Sequence, residues 1–146
     1  MATARLATLA DAVAAEINRG SFDIALTVQR RYQVVYELKE LDQLQVAVVP
    51  RSWSIEAQTR GANQRTAEVQ VGFQQRLDPD DVAAVDDLMA LVGSVHHWLD
   101  RRRLVDDPDA AWLGAEQDPL FDPGVLREKR MFLSVLTLTY RLTDQS

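Results

Sequence analysis

The chain has 146 residues, 47% apolar and 26% charged, which is the make-up of one ordinary globular domain and excludes a disordered chain. It has no cysteine, so disulfides, thiol nucleophiles and Cys-based zinc sites are ruled out. The 22 acids against 16 bases leave a net charge of −6, which disfavours free binding to nucleic-acid phosphates.

The first expected element is a helix over Ala4–Arg19. Leu6, Leu9, Ala10, Val13, Ala14 and Ile17 fall on one helical stripe, with Thr3 placed to cap its start and Gly20 to end it in a left-handed conformation. Asp11 and Glu16 interrupt any secretory apolar run, and no stretch reaches the ~20 apolar residues of a membrane span, so a soluble, unexported protein is expected. Phe22, Ile24, Leu26 and Val28 then alternate with mostly polar neighbours and predict a half-buried strand. Leu44–Val49 predicts a second strand, closed by Pro50; Trp53, Ile55 and Ala57 predict a third, and Ala67, Val69, Val71 and Phe73 a fourth. Between these last two, Thr59–Thr66 reads as a projecting hairpin loop, too long for a two-residue turn, that carries Arg60 and Arg65.

Asp78-Pro79 announces the main helix, with Asp as cap and Pro at the first helical position, and the helix is expected to run to about Arg103. Val82, Val85, Met89, Val92, His96 and Leu99 form its stripe, and Leu88, Leu91, Val95 and Trp98 widen it beyond the ~100° that a core-facing helix requires. Leu91 and Trp98 share one edge, which suits either a core or a contact with another subunit. Val105–Val125 reads as a long acidic loop pinned by Trp112, Leu120 and Phe121. The chain closes on a strand, Met131–Leu142, that is apolar on both faces, with Met131, Leu133, Val135, Thr137 and Thr139 on one side. Phe132, Ser134, Leu136, Leu138, Tyr140 and Leu142 occupy the other side, so the strand is expected to lie mid-sheet or to meet a second subunit. The resulting fold class is α+β: a mostly antiparallel sheet of about five strands with two main helices packed on it, in a single domain over residues 1–146.

Catalytic or metal chemistry finds little support. His96 and His97 point about 100° apart on a helix and have no ligand partner at i+4, so metal binding is not expected. The pairs Asp80-Asp81 and Asp86-Asp87 are accounted for by the helix dipole and a solvated face, and Arg101–Arg103 by the negative end of the helix. There is no GxSxG elbow and no Gly-rich phosphate loop. The reading is a protein that is not an enzyme and has no cofactor. A small metal-dependent enzyme using the Asp-rich loop and His97, and an adaptor binding a partner through Leu91 and Trp98, are its rivals.

The whole order of elements resembles the tail-terminator, or tail-completion, family of long-tailed bacteriophages (minor tail protein U-like). The segments that carry it are ADAVAAEIN, FDIALTVQRRYQ, LQVAVVP, RGANQRTAEVQVGF and the closing FLSVLTLTYRL, and together they span nearly the entire chain. The resemblance implies a virion protein without catalytic residues that forms a hexameric ring on the tail tube. Such a ring ends polymerisation of the tube and offers the surface to which the filled head joins, so its partners are the tail-tube and head-completion proteins. Another neck component, such as a stopper, is the close alternative. Patterning in this chain nominates Leu91, Trp98, Arg60 and Arg65 for the subunit interface.

Overall fold

The N-terminal stripe does form a helix, α1 (Ala2–Arg19), in a computed structural model that describes residues 2–24, 26, 28–32, 41–59, 62–117 and 122–145, with side chains described for all of these but 2–4, 53–64 and 143–145. Thr3 lies inside this helix instead of capping it. Gly20 does not adopt a left-handed backbone; a Cβ there would stand 2.7 Å from the Phe22 ring and 3.2 Å from Trp98. Glycine is present because two aromatic side chains close over the helix end.

The strand expected from Phe22 forms only as β1 (Val28–Arg30). Phe22, Ile24 and Leu26 instead pack half-buried against the core from an irregular link, while Ala25 and Thr27 lie outside the described residues. The second and third expected strands are one element, β2 (Gln45–Thr59), because Pro50 does not end it. Among the described residues β1 pairs with β2 as far as Val48 and none pairs with that side of β2 beyond it, and a register shift lies between Pro50 and Ser52. A residue without an N–H is tolerated on an edge and at a bulge. β3 (Ala62–Arg76) returns antiparallel and is paired up to Thr59↔Ala62, so the connection is short and Arg65 belongs to the strand.

The main helix, α2 (Val82–Leu99), starts later and ends sooner than expected. Asp81 is its cap, its carboxylate accepting from the Ala84 amide at 3.1 Å, while Asp78 accepts from the Asp80 amide in the preceding turn. The helix stops before the arginines, and Arg101 takes a left-handed φ of 59°. The stretch expected to be loop contains β4 (Ala111–Glu116) and a short helix, α3 (Pro123–Lys129), capped by Asp122; Leu120 and Phe121 lie outside the described residues. β5 (Met131–Gln145) closes the chain.

Among the described residues, five strands form one sheet in the order β1-β2-β3-β5-β4, antiparallel except for the β1–β2 pair. β5 is therefore a non-edge strand, paired along its whole length with β3 and over residues 137–141 with β4. Its even-numbered side chains from Phe132 to Leu142 are all buried beside Ala67, Val69, Val71 and Phe73 of β3. α1 packs over β1 and β2, and α2 over β5, so that Leu9, Val13 and Ile17 join Val92, Val95 and Leu99 in one core. The architecture is α+β, with the two main helices in one layer on one sheet face.

Candidate assembly surfaces

α1 is joined to the segment after α2 by a set of charged contacts. Glu16 is 2% exposed, yet its carboxylate accepts from the Val105 amide at 3.1 Å and has the guanidinium groups of Arg19 and Arg102 at 3.6 and 3.8 Å. Its backbone carbonyl accepts from the Trp98 indole at 3.0 Å. Arg102 lays its guanidinium 3.5 Å from the centroid of the Trp98 ring while donating to the Trp98 carbonyl, which turns the chain back just beyond the helix end. Asp107, also buried, takes a two-pronged contact from Arg5, and Asp106 pairs with Arg19 at 3.0 Å. The two-pronged Arg5–Asp107 contact is the strong form of such bonds, and with the others it makes a clamp between α1 and the segment 102–107.

Tyr140 lies under the clamp. Its ring is fully buried and meets Trp112 edge to face at 5.6 Å, while its hydroxyl has no hydrogen-bond partner among the described residues. Burial, together with the carboxylates of Glu16 and Asp107, raises its pKa well above the ordinary phenol value.

The residues expected at a subunit interface are not brought together. Leu91 is 4% exposed and part of the core, and Trp98 is half-buried between Phe22, Arg102 and the Glu16 carbonyl. What widened the apolar stripe of α2 is an intramolecular neighbour, the Ser21–Ile24 link lying beside it. Arg65 sits half-buried in β3 opposite Ile55 and Leu142, so it does not project from a loop; Arg60 lies outside the described residues. His97 is exposed and His96 tilts against Trp112 at 6.5 Å. Among the described residues no group of three or more His, Asp or Glu is arranged to hold a metal ion, and no helix is long and apolar enough to cross a membrane.

Two of the surfaces that the described residues leave partly open carry apolar side chains. The first is the second face of the sheet, where Met131, Leu133 and Val135 of β5 are partly buried opposite Arg76, Gln74 and Gly72 of β3, of which Gln74 and Gly72 are buried. The second is a groove between α2 and the Ser21–Ile24 link. Phe22, Ile24, Leu91 and Trp98 give it an apolar floor, Ala90, Gly93 and Ser94 a low wall, and Asp23 and Asp87 a carboxylate on either side of one end. Periodicity could not reveal this groove, because the link is irregular and approaches α2 only in three dimensions. No family model matches the chain, and no curated protein matches it.

Proposed function

We propose that this chain is a structural protein of the neck of a long-tailed bacteriophage, a tail terminator that assembles as a ring. The ring caps the tail tube, ends its polymerisation and supplies the surface that the head joins. The protein is not an enzyme and acts through contacts with its own copies, with the tube protein and with a head-completion protein. Its place of action is the virion, after assembly in the host cytoplasm.

The observation that carries the reading is the second apolar face of β5. β5 is buried on one face from Phe132 to Leu142, while on its other face Met131, Leu133 and Val135, in the stretch that pairs with β3, keep part of their surface uncovered by their own chain. Such positions on a mid-sheet strand are ordinarily covered, and an assembling protein covers them with a neighbour. The resemblance of the element order to tail terminators supplies the kind of neighbour. Removing the gene from a producing phage tests it. Filled heads, no infectious particles and tail tubes of uncontrolled length are expected; tails of normal length would move the protein to head completion or out of the neck.

A further inference from the structure

The groove beside α2 is lined by groups that the chain itself does not use. Asp23 and Asp87 line one end of it, both exposed, and neither has a cation within ion-pair distance among the described residues. Asp11, Asp42, Glu68, Asp78, Asp106 and Asp107 each have an arginine. Two carboxylates in one cleft repel each other until a cation comes between them. Gly93 is a separate observation. It lies in the interior of α2, where glycine is the poorest helix former after proline, and nothing outside its own helix stands within 4 Å of where a Cβ would be. No contact within the chain requires a glycine there, whereas close approach of another backbone would.

The lining narrows the occupant. Its carboxylates repel nucleic-acid phosphates and anionic lipid headgroups. From Asp87 to Trp98 the groove follows α2 for about 16 Å, past the exposed Ala90, Gly93 and Ser94. A trench so open does not enclose most of a small molecule, as a small-molecule site does. A second copy brings a net charge of −6, and seven of its arginines already sit beside its own carboxylates. The groove suits a different protein, one with a basic surface.

We infer that the groove holds a segment of a partner protein that carries an arginine or lysine next to apolar residues. The cationic head lies between Asp23 and Asp87, the apolar side chains cover Phe22, Ile24 and Trp98, and the backbone passes close over Gly93. A long basic side chain suits the site, because its stem covers apolar surface while its head pairs with carboxylates. The inference goes beyond the neck reading and stands or falls apart from it; within that reading, the tube or head-completion protein supplies the segment.

Trp98 lines the groove, so its fluorescence reports occupation by a probe, here a capped peptide of alternating leucine and arginine, and calorimetry gives the affinity. The peptide is expected to bind at low salt. Matched peptides with glutamate for arginine, or with serine for leucine, should bind about tenfold more weakly or worse. Asp87→Lys should weaken the arginine peptide by about tenfold. Asp86→Lys makes the same change in net charge at an exposed position outside the groove, and should leave the affinity within about twofold. Gly93→Leu fills the wall while favouring the helix, so it should fold, as circular dichroism checks, and bind about tenfold more weakly. No binding of the arginine peptide, equal binding of the glutamate peptide, equal losses from Asp86→Lys and Asp87→Lys, or no effect of Gly93→Leu would each overturn the inference. So would an oligomer in light scattering that the arginine peptide dissociates, since the groove would then belong to a second copy.

Discussion

At the scale of single residues, Tyr140 combines full burial with a hydroxyl that has no partner among the described residues. Removing that hydroxyl leaves nothing unsatisfied, so Tyr140→Phe should keep or raise stability, by up to about 1 kcal/mol in urea unfolding near pH 7. The raised pKa fixes the direction of the pH effect. The folded state holds the phenol proton more tightly than the unfolded chain, so stability is fully present below the unfolded value of ~10 and falls as pH rises above it. Tyr140→Phe should lose that alkaline component, and equal slopes between pH 9 and 11 in the two proteins would contradict it. Leu91 belongs to the core, so Leu91→Ala should cost ~2–4 kcal/mol in the unfolding of a single copy. A change near zero would return Leu91 to the surface. Gly20→Ala should cost on the order of 1 kcal/mol and shift Trp98 fluorescence, because the added methyl displaces the Phe22 ring against Trp98.

At the scale of elements, the clamp between α1 and the segment 102–107 sets how firmly the helix layer holds together. Asp107→Asn keeps the shape but removes the charge opposite Arg5, and should cost ~1–3 kcal/mol, less than a fully buried pair because Arg5 is partly exposed. A double-mutant cycle with Arg5→Ala should show coupling, and additive effects would mean that the pair contributes nothing specific. Amide exchange should be slowest in β5 where it is paired on both sides, residues 137–141. Both main helices and β5 were legible because their apolar residues keep a regular period over long runs. Pro50 was misread because tolerance of proline depends on where β1 stops pairing, which is not a local property. The Asp-Pro signal is not specific on its own: at Asp78-Pro79 the helix starts three residues later, at Val82, whereas at Asp122-Pro123 Asp caps and Pro opens α3. β4 was hidden because its pairing with β5 lies far off in the chain. The groove was illegible for the same reason, since Phe22 and Asp23 meet α2 only once the chain has folded.

At the scale of the whole molecule, the balance of charge bears on the passage of DNA. At −6 per chain, a ring of about six copies would carry roughly −36, and phosphates crossing it would be repelled instead of releasing counterions to bound Lys and Arg. The proposed ring should therefore show no retention of duplex DNA at physiological salt, and tight, salt-sensitive binding would contradict a ring through which DNA passes. Exposed ion pairs contribute only ~0–1 kcal/mol each, so association of free copies through charged rims should be weak and weaker still at high salt. The free protein is accordingly expected to be largely monomeric in light scattering and to gather on a tube. The central claim is that this chain stops a growing tail, and the most direct measurement adds purified protein to tail tubes polymerising in vitro and follows their lengths by electron microscopy. The account predicts that elongation halts and that a ring appears at one end of each tube. Tubes that keep growing, with bare ends at saturating protein, would contradict it.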